Sequence, residues 1–250
     1  MEATGRIDPA LFEEDSILVL PALVSIGNVG QLAMDLLLSS IKPLKVGALY
    51  NDTLVPIVGP DMANNSLMTA AEVFVKNKFV FLQLRSAIVK GYRKQWVHDI
   101  IDWVKRMGKF KEIICLSSID AHERSDDQIK QENFRYLSTQ GDDVDFFQAK
   151  SWKSLELKEN FPSLPQHKTL TEFDKLHIPG GGFSKELYKQ CKEEGLILHI
   201  LFTFSSEGDN VPDAMRLYEY FNSWKQQAEK VVIPSSWSHL YGNRVTASVF

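Results

Sequence analysis

The order of apolar and polar positions along the chain predicts strands that alternate with helices. Residues 17–24 (ILVLPALV) form a nearly continuous apolar run, which is typical of a strand buried on both faces. Pro21 interrupts this run and favours a bulge or an edge position, because proline has no backbone N–H to donate. Asn28 is placed to cap a helix that runs to Ser40 and carries one apolar stripe, formed by Val29, Leu32, Ala33, Leu36 and Leu37.

Further strands are predicted from short apolar runs at residues 45–50, 54–58, 72–75, 79–84, 112–116 and 196–204. An amphipathic helix is predicted over residues 96–107 and ends at Gly108. Ser184 is predicted to cap a helix that reaches Glu194. Pro212 suits the first turn of a last helix, whose apolar face comprises Ala214, Leu217, Tyr218, Phe221 and Trp224.

This alternation predicts an α/β fold with a mixed, mostly parallel sheet flanked by helices on both faces. No composition shift or linker divides the chain, so residues 1–250 are interpreted as a single domain. The last residues, about 242–250, are mostly polar and follow Gly242, and we expect a flexible C-terminal tail there.

Composition narrows the classes of function. Hydrophobic residues make up 44% and charged residues 24% of the 250 positions, which is typical of soluble globular proteins. The net charge of -4 argues against nucleic-acid binding. The longest apolar runs are far shorter than the roughly 20 residues of a membrane span, and the polar start predicts no secretory signal. Cys115 and Cys191 lie in apolar or amphipathic stretches, so we expect unreactive thiols in a reducing compartment.

Two glycine-rich turns are the first candidates for a ligand site. Residues 27–30 (GNVG) join a strand to a helix, where phosphates often bind, but dinucleotide spacing and a P-loop lysine are both missing. Residues 179–182 (PGGG) precede another helix, with only Lys185 as a nearby positive charge. We interpret both as structural turns that use glycine at positive φ. The residues assigned to them are Gly27, Asn28, Gly30, Gly180, Gly181 and Gly182.

Catalytic patterns are incomplete. Ser25 and Gly27 match half of a nucleophile elbow, but Leu23 stands where that motif needs glycine, and the six histidines are scattered. The acidic turn at residues 207–210 suits acid–base chemistry or a hard cation, yet it equally stabilises the N-terminus of the helix that follows. The sequence therefore predicts no catalytic residue, no metal site and no cofactor.

Seven runs, taken in order, carry a resemblance to a known family. They are residues 21–35 (PALVSIGNVGQLAMD), 54–59 (LVPIVG), 82–86 (LQLRS), 134–137 (FRYL), 178–182 (IPGGG), 206–214 (SEGDNVPDA) and 233–237 (IPSSW). Together they span almost the whole chain and resemble the proteasome assembly chaperone 2 family.

The resemblance implies a non-enzymatic chaperone with a nucleoside-phosphorylase-like fold, found in the cytoplasm and the nucleus. It implies a heterodimer with proteasome assembly chaperone 1 that promotes assembly of the alpha-subunit ring of the proteasome, without nucleic acid, membrane or cofactor. Relatives dock C-terminal tails between alpha subunits through a hydrophobic-Tyr pattern. This chain ends in Val249 and Phe250 without that tyrosine, so the two are candidates for protein binding. The alternative is a phosphate- or nucleotide-binding enzyme on a phosphorylase-like fold.

Overall fold

A computed structural model describes residues 2–4, 7–61, 66–140, 144–158 and 171–239. Ten strands lie in these ranges: β1 (Glu2–Thr4), β2 (Ser16–Pro21), β3 (Leu44–Tyr50), β4 (Val58–Asp61), β5 (Ser66–Thr69), β6 (Ala71–Lys76), β7 (Phe79–Leu84), β8 (Phe110–Asp120), β9 (Phe134–Ser138) and β10 (Leu198–Ser205). The α-helices described are α1 (Val29–Ile41), α2 (Arg93–Met107), α3 (Asp126–Ile129), α4 (Val144–Ala149), α5 (Glu172–Lys175), α6 (Ser184–Glu193) and α7 (Val211–Lys225).

Eight strands form one mixed sheet in the order β1-β3-β6-β7-β2-β8-β10-β9. The parallel pairs lie together in its centre and join β7 to β2, β2 to β8 and β8 to β10. The pairs on either side are antiparallel. Strands β4 and β5 form a separate two-stranded hairpin. The predicted α/β class with a mixed sheet is confirmed, and the parallel pairing is concentrated where the sheet is buried on both faces.

Helices cover both faces of this sheet. Along β8, Ile113 and Cys115 join the core beneath α2 and α6, whereas Ile114 and Leu116 join the core beneath α1 and α7. This alternation follows from the two-residue period of a strand. It explains why the central strands contain continuous apolar runs, such as residues 113–116 of β8. Among the described residues, we find no helix with the length and apolar character that a membrane crossing requires.

Two strand predictions need correction. Pro21 lies neither at a sheet edge nor in a bulge, because it is the last residue of the central strand β2, whose pairing with β7 has already ended at Val19. Residues 54–58 do not form a strand, although Leu54 makes one isolated bridge with Ile88. Pro56 has no N–H to offer a ladder, and regular pairing begins only with β4.

Helix ends follow the predicted pattern in part. The helix α2 ends at Gly108, which adopts a left-handed conformation with φ of 61°. The face predicted for the last helix is buried in α7, and Pro212 lies in its first turn. Asn28 precedes α1 as predicted, but its side chain makes no capping hydrogen bond. Ser184 is the first residue of α6 and not its cap, because its hydroxyl donates to Ser117 Oγ at 2.8 Å.

Candidate functional site

The two glycine-rich turns meet at the carboxyl ends of the central parallel strands. Ile26, in the first turn, donates its backbone N–H to the carbonyl of Gly180 in the second at 2.7 Å. Ser25 and Gly181 form an antiparallel bridge beside this bond. In open α/β sheets, ligands usually bind outside the carboxyl ends of the strands. The structure therefore brings the predicted turn residues together at the edge where a site is expected.

The glycines of the turns are required for different reasons, either a positive φ or the lack of space for a Cβ. Gly27, Gly180 and Gly182 have φ of 65°, 69° and 60°, a region that favours glycine. A Cβ on Gly182 would also lie 3.0 Å from the carbonyl carbon of Leu23 and closer still to its oxygen. Gly181 differs, because it does not have a positive φ and a Cβ there would overlap the side chain of Ile178. The expectation of positive φ at every turn glycine is therefore wrong for Gly181, where space is the constraint.

The start of α1 is shaped by two neighbours. Asn28 adopts a left-handed conformation with φ of 52°, which asparagine tolerates better than most residues. Gly30 has no positive φ, but a Cβ there would lie 2.9 Å from the carbonyl carbon of Leu116 and closer still to its oxygen. Gly30 therefore lets α1 approach the backbone of β8, and the need again is for space.

Buried hydroxyl groups hold the two turns onto the ends of the strands. Ser118 Oγ donates to the carbonyl of Ile26 at 2.7 Å, and Ser184 Oγ donates to Ser117 Oγ at 2.8 Å. Ser117 Oγ lies 3.4 Å from the carbonyl of Gly181. All three serines are fully buried. Their hydroxyls are engaged with protein atoms and shielded from substrate, so their arrangement supports packing and not nucleophilic attack.

Asn210 occupies the space above the first glycine turn. A Cβ on Gly27 would lie 2.7 Å from Asn210 Oδ1, in contact with the whole carboxamide group. Asn210 is buried and donates from Nδ2 to the carbonyl of Gly208 at 2.9 Å. In the sequence, Asn210 belongs to the acidic turn and to the run at residues 206–214, and neither pattern predicts its contact with Gly27. Because Asn210 fills the space where a side chain at position 27 would lie, packing within the protein is sufficient to explain the glycine.

The acidic turn stabilises the start of α7. Asp209 Oδ1 accepts the backbone N–H of Val211 at 3.1 Å, so a carboxylate lies at the positive end of the helix dipole. A cleft of about 470 Å³ opens beside this turn, and its charged side chains include Arg124, Asp213 and Arg216. Arg216 lies 3.5 Å from Asp213. The cleft therefore presents both signs of charge.

A serine, a histidine and a glutamate do lie in a row elsewhere in the fold. His199 Nδ1 is 3.0 Å from Ser138 Oγ, and His199 Nε2 is 3.3 Å from Glu112 Oε2. Hydrolases place such groups at an open site. Here His199 is only 1% exposed, and the ring of Trp224 packs edge-on against it at 5.2 Å. His199 and Glu112 lie in the core and Ser138 is half-buried on the edge strand β9, so the imidazole and the carboxylate are shielded from a substrate.

This row contains a buried charge network. Lys225 Nζ donates to Glu112 Oε1 at 2.6 Å, while His199 binds the other carboxylate oxygen. Burial opposes ionisation of Glu112, but the hydrogen bonds with His199 and Lys225 outweigh burial and lower its pKa to about 2. At neutral pH, Glu112 therefore stays ionised in the core, where Lys225 and His199 bind its two carboxylate oxygens.

The two cysteines are buried, as predicted. Burial raises the pKa of the Cys115 thiol and raises that of Cys191 to about 12, so neither is a thiolate at neutral pH. Within the described ranges, no group of three His, Cys, Asp or Glu side chains is arranged to hold a metal ion. The predicted tail residues Val249 and Phe250, and the predicted tail 242–250 as a whole, lie outside the described residues.

Comparisons with known proteins place the chain in a family. The sequence model of the PAC2 family matches residues 19–222. Proteasome assembly chaperone 2 of Xenopus tropicalis is 38% identical over 258 residues, with 96% of each chain covered. The human protein of the same name is 36% identical over 255 residues, covering 93% of this chain and 94% of its own. These names are those of chaperones and not of enzymes, which confirms the prediction of a non-enzymatic protein.

A solved structure shares the fold. PbaA of Pyrococcus furiosus, described as an archaeal homolog of proteasome-assembly chaperone, superposes with a TM-score of 0.63 over 95% of this chain and 87% of its own. The two sequences are 13% identical, so this likeness concerns the fold alone. The family match and the 38% identity with the Xenopus tropicalis protein confirm the predicted resemblance over most of the chain. The chain belongs to the PAC2 family, together with the curated proteins named proteasome assembly chaperone 2.

Proposed function

We propose that the chain is a proteasome assembly chaperone that acts by binding other proteins. The observation that carries this proposal is the 38% identity with Xenopus tropicalis proteasome assembly chaperone 2 over 96% of both chains. The packing of the glycine turns supports it from the structure. Asn210 fills the space where a side chain at position 27 would lie, and the nearby hydroxyls of Ser117 and Ser184 are buried.

The proposal extends to the partners that the resemblance implies. The chain forms a heterodimer with proteasome assembly chaperone 1, and the pair promotes assembly of the alpha-subunit ring of the proteasome. It works in the cytoplasm and the nucleus, where thiols such as Cys115 and Cys191 stay reduced. Cell fractionation that finds the protein only in a secretory compartment would contradict this location.

Sedimentation of purified proteins tests the heterodimer. The chain is mixed with proteasome assembly chaperone 1 of the same organism, and we expect one species with the mass of a 1:1 complex. Alpha subunits are then added, and native gels follow the appearance of rings with and without the pair. Faster ring formation supports the proposal. A chain that stays monomeric in the mixture and leaves the yield of rings unchanged would refute it.

Deletion of residues 248–250 tests the tail, including Val249 and Phe250. Because the tail lacks the tyrosine of the best-known docking pattern, we expect a modest loss of alpha-subunit affinity, about tenfold or 1.4 kcal/mol. The melting temperature and the heterodimer should not change. Equal affinities of the full and shortened chains would assign docking to the partner alone. A large drop in melting temperature would mean that Phe250 packs into the chain's own core.

A further inference from the structure

Two exposed loops lie side by side next to the carboxyl end of β7. The first comprises residues 51–57, and the second comprises residues 85–92 and leads into α2. Val55 donates its backbone N–H to the carbonyl of Ala87 at 3.0 Å, and Val89 donates to the carbonyl of Thr53 at 2.8 Å. These bonds fix the two loops as one surface. Its outward side chains, here called the basic–apolar surface, are Val55, Ile57, Lys90, Tyr92, Arg93 and Lys94.

The surface is held rigidly against the core. Asn51 donates from Nδ2 to Asp99 of α2 at 2.6 Å, which ties the first loop to the helix. Tyr92 donates its backbone N–H to the carbonyl of Val89 at 3.0 Å, which closes the turn before α2. Trp96, in the first turns of that helix, is fully buried. Binding to such a preformed surface costs little ordering entropy.

Three cations dominate the charge of this surface. Lys90, Arg93 and Lys94 fall within five residues, and all are exposed. Across the described parts of the chain, none of the three is within ion-pair distance of a carboxylate. Asp52 is the one acidic side chain at the outer face of the two loops. The surface is therefore basic in a chain whose net charge is -4.

The position of these cations opposes the local preference of a helix. The first turn of α2 contains Arg93 and Lys94 and no acidic residue. A helix N-terminus carries a partial positive charge, so acidic side chains stabilise it and basic ones do not. Arg93 and Lys94 therefore add to the positive potential at the N-terminus of α2 and do not neutralise it. A carboxylate from outside the chain would relieve this repulsion.

Exposed apolar side chains belong to the same two joined loops. Val55 is 42% exposed, Ile57 is 43% exposed and Tyr92 is 53% exposed. Tyrosine and arginine are enriched in protein interfaces, where an aromatic ring adds buried area and a guanidinium binds carboxylates. The mixture favours a protein over a nucleic acid, because nucleic-acid binding draws on many phosphate contacts from a wider basic face.

We propose that the basic–apolar surface binds an acidic segment of a protein partner, in which carboxylates flank apolar side chains. The carboxylates pair with Lys90, Arg93 and Lys94, and the apolar side chains pack on Val55, Ile57 and Tyr92. This inference rests on the proposed function, because it names the chemistry by which such a chaperone recognises a partner. It assigns the contact to side chains between Val55 and Lys94 in the sequence.

Charge reversal tests the electrostatic half of the proposal. The variant Lys90→Glu, Arg93→Glu, Lys94→Glu is compared with a control of equal net charge, in which the exposed lysines Lys111, Lys130 and Lys153 are changed to glutamate. The probes are proteasome assembly chaperone 1 and purified alpha subunits, with rates measured by surface plasmon resonance. For one of these probes, we expect the association rate of the first variant to fall at least about tenfold relative to the control, since charge steers encounter.

Binding at high salt and a second variant distinguish the loss of a specific binding contact from a general loss of structure. At about 1 M salt, where the Debye length is about 3 Å, the difference between the charge variants should shrink severalfold. The variant Val55→Ser, Ile57→Ser should instead raise the dissociation rate, because it removes apolar contact and leaves the charges. The charge-reversed variant should melt at or above the wild-type temperature, because glutamate at positions 93 and 94 stabilises the N-terminus of α2. The lysine control should melt close to the wild type, since its changed side chains are exposed.

The outcomes distinguish this inference from the proposed function. If wild-type complexes form and the charge-reversed chain binds as well as its control, the surface inference is refuted while the proposed function stands. The inference also fails if the variants lose only self-association or only RNA binding. If the wild-type chain binds none of the probes, the proposed function falls, and the surface inference falls with it.

Discussion

Replacement of Gly30 by alanine tests how closely α1 approaches the central strand β8. Gly30 is the second residue of α1 and does not have a positive φ. Inside a helix, alanine is favoured over glycine by roughly 0.5–1 kcal/mol. Helix propensity alone therefore predicts that Gly30→Ala stabilises the protein. The close packing of Gly30 against Leu116 predicts instead that Gly30→Ala destabilises the protein.

The packing term follows from the position of the added methyl group. It would lie 2.9 Å from the carbonyl carbon of Leu116 and closer still to the oxygen, whereas ordinary contacts begin at 3.4 Å. The same oxygen accepts the N–H of Ala22 at 2.8 Å, so it cannot move freely. Overpacking of this kind costs about 1–3 kcal/mol or more. Because the overlap is with backbone, we use the upper end of this range, about 3 kcal/mol, and after a gain in propensity of about 1 kcal/mol we expect a net loss of about 2 kcal/mol in the free energy of unfolding.

Thermal and urea melts of purified protein measure this loss. For a chain of this size, 2 kcal/mol corresponds to a drop of about 4–8 °C in melting temperature. The control is Gly59→Ala, because a Cβ at Gly59 would meet nothing within 4 Å and its φ is not positive. That variant should melt close to the wild type. If Gly30→Ala melts at or above the wild-type temperature, α1 does not lie against Leu116 as described.

Three further predictions concern the turns, the buried charge and the thiols. Gly27→Ala should lower the melting temperature, because the added methyl group and the Asn210 side chain compete for one space. Adding Asn210→Ala should restore part of this loss, whereas losses in melting temperature that simply add in the double variant would contradict the contact. The pKa of Glu112 is lowered from 4.5 to about 2, so its stabilisation is full above pH 4.5 and disappears as the pH falls towards 2. Urea melts across that range should show a loss on the order of 3 kcal/mol that Glu112→Gln lacks. Cys115 and Cys191 should react with a thiol reagent only after denaturation, as buried thiols of raised pKa; rapid labelling of the native protein would contradict their burial.

Local periodicity was enough to predict several elements. The stripe of Val97, Ile100, Ile101 and Val104 has the spacing of one helical face, and all four residues are buried in α2. The strand predicted at residues 79–84 matches β7, because its apolar run is bounded by polar residues. In both cases, the residues that decide the structure are neighbours along the chain, so a sequence window contains the signal.

The sheet order and the hairpin of β4 and β5 could not be predicted in this way. Residues 54–58 are as apolar as a strand, yet Val55 and Ile57 are half exposed because Pro56 and the turn around Asn51 hold them outside the sheet. Exposure depends on which other segment covers a residue. That information lies in distant parts of the chain and not in the local pattern.

The glycine turns show why a site is harder to predict than a helix. A glycine is needed wherever a Cβ would obstruct an approaching group, whether that group is a phosphate or a side chain of the same protein. The sequence around Gly27 is the same in either case, so it cannot tell a ligand site from a packing contact. The deciding fact is the occupant, and here it is Asn210, carried there by the loop that follows β10. Asn210 closes the space at Gly27, whereas the cleft that contains Arg124, Asp213 and Arg216 stays open beside the same loop, so only the structure distinguishes a filled space from an open one.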